Sequence, residues 1–483
     1  MWQSCFAPAS RLIGRAAAWH KRAMSNSLKF GTSGLRGLAA DLIGVESRRY
    51  AAAFVGHLRS GGDTVPQMLI GRDLRDSSPV IGASVASALA GLGVAVLDCG
   101  ELPTPALALE AMRRELPAIM VTGSHIPADR NGLKFYRADG EIDKADEAGI
   151  LAVLGPAPEG AGGAVAETEA LRRYAARYAA MLPPGALAGL RIGVWQHSSV
   201  ARDLLVEVLG RYDAEVIPLG RSERFVAVDT EAVSEDVATE IAGWVSAHGL
   251  DALVSTDGDA DRPLVADETG AVLRGDVLGI LTAKFLGADA VVTPVTSNSA
   301  IEGTGYFRQV LRTKVGSPYV IDAMEAAQGR VVGFEANGGV LLGSDVTVNG
   351  STLTALPTRD ALLPIMAVLG AARQARLTLS ALAATLPPRY ARSDRLEHVP
   401  AERCAALLER LRADAAGFLA PQGQIAATST TDGMRFELSS GDVIHYRPSG
   451  NAPELRCYTE AATAERADEL LAWGFKAAKA VVG

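Results

Sequence analysis

Through most of this chain, short apolar runs of strand length alternate with segments of helix length. That alternation confines the fold to the α/β class. Residues 67–71 and 94–98 read as strands. Residues 77–92 between them read as a helix, capped by serine and stopped near Gly91 and Gly93. Residues 117–122 form another apolar run, which would deliver Ser124 at its carboxyl end. The pattern then repeats: a strand is expected at 190–195, a helix at 199–209 and a strand at 214–218, and a strand at 250–255 runs into an acidic loop. A third pass has strands at 290–293, 309–312 and 330–333 and runs into Glu335. Ligands in α/β sheets sit at the carboxyl ends of strands, so three units that each end a strand in an unusual loop place function there.

At 483 residues the chain exceeds one ordinary core, and about three or four domains are expected. The Gly/Pro-rich stretch 155–168 reads as a linker or exposed loop, and a second break falls at residues 386–389. The resulting expectation is four domains at 25–155, 168–275, 276–386 and 387–483, the last a shorter α+β unit with a strand at 454–458 and a helix from Thr463. Residues 1–24 stand apart. They carry Arg11, Arg15, Lys21 and Arg22 but no acidic residue, which reads either as a transit-peptide-like segment or as a mis-started, disordered extension ahead of Met24.

A net charge of −8 gives a nucleic-acid partner no electrostatic support. No run approaches about 18 uninterrupted apolar residues, so no membrane-spanning helix is expected. Cys5, Cys99, Cys404 and Cys457 are far apart and form no CxxC pair, which fits buried thiols in a reducing, cytoplasmic setting.

The stretch 254–263 crowds Asp257, Asp259 and Asp261 into five residues. Three carboxylates so close repel one another unless a cation sits between them, and hard oxygen ligands favour Mg²⁺ or Ca²⁺. An EF-hand is excluded, because Arg262 occupies the sixth loop position, where that loop needs glycine. Without a ligand, the stretch would be an ordinary solvated acidic turn. Ser124 lies in a glycine-bearing turn beside His125, and by itself would be a turn residue. With a metal carboxylate cluster it suggests phosphoryl transfer. Lys134 and Arg36, the latter in the glycine-rich stretch 30–37, add cations that suit phosphate. Arg447, Ser449, Gly450 and Asn451 pair a guanidinium with small hydrogen-bonding groups, a fitting set for a phosphate dianion. Glu335 and Asn337 place an acceptor beside an amide, as sugar hydroxyls require.

Together these residues resemble the α-D-phosphohexomutase family, across residues 29 to 480, with four motifs in the family's order. The resemblance implies three related α/β domains with mixed sheets, plus a C-terminal α+β domain, around a central cleft. It implies that Ser124 is a phosphoserine; that Asp257, Asp259 and Asp261 hold Mg²⁺ together with a Ser124 phosphoryl oxygen; and that Arg262 lies beside the transferring group. His125, Lys134 and Arg36 would assist proton transfer and charge neutralisation. Glu335, Asn337 and Lys314 would contact the sugar, and Arg447, Ser449, Gly450 and Asn451 would grip the non-transferring phosphate.

The implied reaction interconverts a hexose 6-phosphate and its 1-phosphate through hexose 1,6-bisphosphate, in a monomer or homodimer. Several positions depart from the family's common wording. Ile126 stands where asparagine is common, Ser317 where many phosphomannomutases have histidine after the lysine, and Ala336-Asn337 and Asn451-Ala452 replace commoner pairs. The core chemistry survives these changes while the sugar stays open, with mannose favoured, glucose next and glucosamine less so. A metal-dependent phosphatase and a non-catalytic sugar-phosphate sensor of the same fold are the competing readings.

Overall fold

The structure is a computed structural model and describes residues 27–31, 33–449 and 453–482. The segment 1–24, Gly450 and Asn451 lie outside the described residues.

The repeat seen in the sequence is a repeat of topology. In the first sheet the strands Ala95–Glu101, Gln67–Arg72, Ala118–Val121 and Arg130–Arg137 lie side by side in that order. The second sheet has Glu215–Arg221, Arg191–His197, Ala252–Thr256 and Pro263–Ala266, and the third has Gln309–Thr313, Ala290–Pro294, Val331–Phe334 and Val340–Leu342. In each, the first strand in chain order is flanked by the second and third, both parallel to it, and the fourth returns antiparallel to the third. A short loop therefore joins the third and fourth strands at the carboxyl end of the parallel set. In the three sheets that loop carries Ser124, the aspartates and Glu335 respectively. Leu356–Asp360 extends the third sheet antiparallel to Val340–Leu342.

The central strands Ala118–Val121, Ala252–Thr256, Ala290–Pro294 and Val331–Phe334 are buried on both faces, which explains why their sequences are near-continuous apolar runs without alternation. The fourth sheet is wholly antiparallel, in the order Tyr390–Leu396, Leu455–Ala461, Val443–Pro448, Met434–Leu438, Ile425–Ser429. The helices Ala401–Leu419 and Ala464–Val482 contribute to its core.

Two local expectations need correction. The helix Ser78–Gly91 is present, but Ser77 does not cap it: its backbone is already helical, and its hydroxyl accepts from Asn131 Nδ2 at 2.8 Å. The stretch 155–168 is not all loop. Val165–Ala166 adds a parallel edge strand beside Leu97 and Asp98.

The core is divided unequally. One continuous apolar cluster runs from Leu69 in the first sheet through Ile192 and Val254 in the second to Phe334 in the third and Leu362 on the helix Leu362–Ala375. The C-terminal sheet and its helices pack a separate cluster, from Val399 to Val482. Among the described residues no helix is long and apolar enough to cross a membrane.

Candidate active site

The Ser124 loop is wrapped around an arginine. Arg75 is 1% exposed. Its Nη1 donates to the carbonyls of Pro127 (2.7 Å) and Arg130 (3.0 Å), and its Nη2 to those of Ser124 (2.9 Å) and Ile126 (2.6 Å). Asp73 anchors it through Nε at 3.1 Å, and Phe225 of the second domain stacks on it at 3.8 Å. Gly123 is required by this packing, since a Cβ there would lie 2.6 Å from the guanidinium carbon. Ser124 itself is held in the left-handed region at φ 52°, an uncommon conformation for a residue with a side chain. The surrounding hydrogen bonds over-determine it, and they aim Oγ at Asp257 Oδ2, 2.5 Å away. His125 Nδ1 is 3.2 Å from the same Oγ. Burial, followed by the charges of Arg262 and Arg36, holds the His125 imidazole well below its usual pKa, so it is neutral near pH 7.

The acidic loop meets the serine loop face to face. Gly258 permits this, because a Cβ would fall 2.9 Å from the Ser124 carbonyl and 2.8 Å from the Phe225 ring. Carboxylate oxygens of Asp257, Asp259 and Asp261 all lie within 4.8 Å of one another. Burial, then the charges of Asp259 and Asp261, push the Asp257 carboxyl well above the usual range. Burial acts the same way on Asp261, but Arg359, Lys134 and Arg262 outweigh it and hold that carboxyl well below. Lys134 Nζ donates to Asp259 (2.6 Å) and Asp261 (2.5 Å), and Thr104 Oγ1 donates to Asp259 (2.5 Å). Even so, Asp259 Oδ1 and Asp261 Oδ1 are buried with no hydrogen-bond partner. Buried carboxylate oxygens without donors, on three crowded hard-oxygen ligands, fit a divalent cation.

Arg359, absent from the sequence-based set, joins two of the loops. It is 2% exposed; its Nε and Nη2 both donate to Asp261 Oδ2 at 3.2 and 2.8 Å, and its Nη1 donates to Glu335 Oε2 at 2.8 Å. Asn337 Nδ2 lies 3.4 Å from the same Glu335 oxygen, and Thr230 of the second domain donates to the Asn337 carbonyl at 3.0 Å. The next residue, Asp360, points the other way and accepts from Tyr174 and Tyr178, which fixes the end of the strand that carries Arg359.

A cavity of about 300 Å³ opens above these groups, lined by Arg36, His125, Arg262, Glu335, Asn337, Arg359, Arg447 and Ser449, among others. Arg36 Nη2 and Arg262 Nε are buried there without a hydrogen-bond partner. Burial, with Arg262 and Arg359 close by, lowers Arg36 to about 10. Clustered guanidiniums with unsatisfied donors suit an anion with several acceptor oxygens.

The structure thus brings together Ser124, His125, Lys134, Arg36, Arg262, Asp257, Asp259, Asp261, Glu335 and Asn337, with Arg447 and Ser449 across the cavity. Lys314 does not join them. Its side chain is exposed, and its Nζ sits 5.6 Å from the Tyr319 ring, while Val315 lines the cavity in its place. Ser317 is also turned away, because its hydroxyl donates to Glu141 Oε2 at 2.8 Å. Arg75, Thr104 and Arg359 were missed by sequence reasoning. The one available signal was charge set beside an apolar run, as in 72–76 and 358–360.

Comparisons with known proteins agree with this architecture. Residues 27–155, 172–270 and 274–390 match the phosphoglucomutase/phosphomannomutase alpha/beta/alpha domain models I, II and III, and 396–472 match the C-terminal domain model. A phosphomannomutase of Sinorhizobium fredii is 49% identical over 92% of this chain and 98% of its own length. One from Salmonella muenchen is 45% identical over 92% and 94%. A solved phosphoglucomutase/phosphomannomutase family protein from Burkholderia thailandensis superposes with a TM-score of 0.75 at 21% identity, over 94% of this chain and 98% of that one, and so shares the fold. The chain belongs to the phosphoglucomutase/phosphomannomutase family.

Proposed function

We propose that this protein is a Mg²⁺-dependent mutase that interconverts a hexose 6-phosphate and its 1-phosphate through a phosphoserine at Ser124 and a hexose 1,6-bisphosphate. The observation that carries this reading is the meeting of Ser124 Oγ with Asp257 at 2.5 Å, next to His125 and Arg262, which line a cavity whose guanidiniums carry unsatisfied donors. Mannose phosphate is favoured by the names of the two relatives, with glucose phosphate as a second substrate. Glu335 reads hydroxyls by position and does not have to distinguish epimers at C2. The domains at 25–155, 168–275, 276–386 and 387–483 are assigned the phosphoserine, the metal, the sugar and the distal phosphate. The chain would work in the cytoplasm, as a monomer or homodimer.

Asp257, Asp259 and Asp261 would hold the metal together with an oxygen of phosphorylated Ser124. When bound, it supplies neutralisation of charge on the phosphoryl oxygens. The chain's own residues do the rest. Arg447 and Ser449, with Gly450 and Asn451, grip the substrate's existing phosphate and present the free hydroxyl to Ser124. That hydroxyl oxygen bonds to phosphorus as the bond from phosphorus to Ser124 Oγ breaks, and the hydroxyl proton passes to Oγ.

His125 is neutral and 3.2 Å from Oγ, so it can carry this proton. Lys134 is different. Burial lowers its pKa, but Asp259 and Asp261 raise it further, so it stays a cation and neutralises charge without accepting protons. Arg36 and Arg262 receive the equatorial oxygens of the moving phosphoryl group. The bisphosphate then turns over in the cavity, and the other phosphate returns to Ser124 with the same groups in reverse.

A ³¹P NMR assay with Mg²⁺ and a trace of hexose 1,6-bisphosphate tests the reading, with mannose 1-phosphate and glucose 1-phosphate offered separately. A growing 6-phosphate signal supports it, and the ratio of rates ranks the sugars. Inorganic phosphate alone would replace it with a phosphatase. No change in either tube would move the assay to glucosamine 1-phosphate, and failure there would leave a sensor.

A further inference from the structure

Asp432 lies on the turn between the strands Ile425–Ser429 and Met434–Leu438, and no motif in the sequence marks it. One of its carboxylate oxygens, Oδ2, accepts two hydrogen bonds from two different domains. Arg447 Nε donates to it at 2.6 Å from within the C-terminal sheet. The backbone N–H of Val315 donates to it at 3.0 Å from the loop 314–316 of the third domain.

The turn itself is locked to its own sheet. His445 Nε2 lies 2.6 Å from the Asp432 carbonyl, and the imidazole stacks on Tyr458 at 5.3 Å. Gly433 follows at φ 86°, where a Cβ would fall 2.2 Å from the Tyr446 carbonyl. Asp432 and Arg447 therefore move as one body with the C-terminal domain. The Val315 contact is one of the polar contacts to the third domain that must break if that domain swings away, as is the bond from the Ser299 N–H to Glu460.

We infer that Asp432 is a positioning residue with two coupled tasks: it orients the Arg447 guanidinium for the distal phosphate, and it latches the C-terminal domain against the Val315 loop so that the bisphosphate is retained. The inference rests on the mutase reading. A single carboxylate oxygen shared in this way makes both tasks depend on one closed geometry. When the domain opens, Arg447 keeps its partner but loses its place over the cavity that Val315 lines. A bisphosphate that must turn over between two half-reactions needs such a contact to be strong enough to retain it and weak enough to release.

The test compares the full-length wild type with Asp432→Asn and Asp432→Ala. Each protein is first checked for an unchanged circular dichroism spectrum. The asparagine variant keeps an acceptor for Val315 but loses the charge that holds Arg447, so its KM should rise about tenfold with little change in its need for activator. The alanine variant loses both contacts. Its KM should rise at least as far, and the hexose 1,6-bisphosphate concentration giving half-maximal activity should rise about tenfold, because intermediate escapes.

Small-angle scattering of the free proteins gives a readout that needs no turnover. The alanine variant should have the larger radius of gyration, with asparagine close to wild type. Equal activator requirements and equal radii in all three proteins would overturn the latch and leave Asp432 as a partner of Arg447 alone. Wild type without mutase activity would instead overturn the proposed function, while the scattering comparison would still decide whether Asp432 holds the domain closed.

Discussion

The serine end of the cleft and the distal phosphate grip are built in opposite ways. Ser124, the three aspartates and Glu335 sit on loops, and Arg359 on a strand, of three sheets that share one continuous apolar cluster. Buried charge ties them together, Lys134 to Asp259 and Arg359 to Asp261 across domain boundaries, and Arg359 to Glu335 within the third domain. Arg447 belongs to a domain with its own core, and polar contacts run from that domain to the third: Asn298 to the Arg389 carbonyl (2.9 Å), Ser299 N to Glu460 (3.1 Å) and Val315 to Asp432 (3.0 Å).

Apolar packing is lost steeply with separation, whereas hydrogen bonds at an interface can be replaced by bonds to water once the surfaces part. The difference separates two requirements. The reacting end is held rigid so that no reorganisation is needed as charge develops. The gripping end is free to move because it must take whichever phosphate is not being transferred.

The largest effect should come from Ser124→Ala, which removes the nucleophile at the rigid end. Turnover should vanish while the melting temperature stays within a degree or two of wild type. Wild-type-like activity would remove the nucleophile from the serine loop altogether. Arg359→Gln comes next. It leaves two buried carboxylates without their shared cation, so a loss of about 3–5 kcal/mol in stability is expected along with a collapse of kcat. Denaturant titration that showed no loss would mean the two loops are held by something else.

Arg447→Ala should behave differently, with KM raised by about 2–3 kcal/mol of lost binding, kcat less affected and melting almost unchanged. If it instead destabilised the protein as Arg359→Gln does, the contrast between the two ends would fail. Asp259→Asn should shift the Mg²⁺ titration of activity upward by at least about tenfold, because a direct ligand should cost no less than an outer-shell partner. An unchanged curve would remove the metal from this loop.

A pH dependence is shared by both regions. Burial lowers His197 in the second domain and His445 in the C-terminal domain to about 4 each. Below about pH 6.5 the unfolded chain takes up protons that these buried rings refuse, so stability is full above that pH and falls as pH drops toward 4. Each ring should contribute a slope of about 1.4 kcal/mol per pH unit within that window. His445→Gln should remove one share of the slope and leave the other, and a slope unchanged by the substitution would show that the C-terminal core is not the source.

Much of the fold was legible because buried parallel strands write themselves as continuous apolar runs. Residues 67–71, 290–293 and 330–333 each fall on an observed strand. The edge strand Val165–Ala166 was hidden, since two exposed residues in a glycine-rich stretch carry no pattern. Ser77 looked like a cap by type, but its hydroxyl is engaged by Asn131, which is distant in sequence. Within the site, Ser124 and the aspartates could be found because their chemistry is local, with several ligands or a nucleophile in one loop. Lys314 looked equivalent by type, yet its ammonium rests near Tyr319 and away from the cavity.

By itself the sequence determined the α/β class, the serine, the acidic triad and the cationic character of the phosphate loop, because each depends on neighbours only a few residues apart. The tertiary structure decided which loops face one another and what holds them there. Arg75 at the centre of the serine loop, Arg359 between the aspartates and Glu335, and Asp432 between two domains act on partners distant in sequence or carried on another loop or domain. Their roles depend on a buried charge meeting its complement in space, and spacing along the chain does not record that meeting.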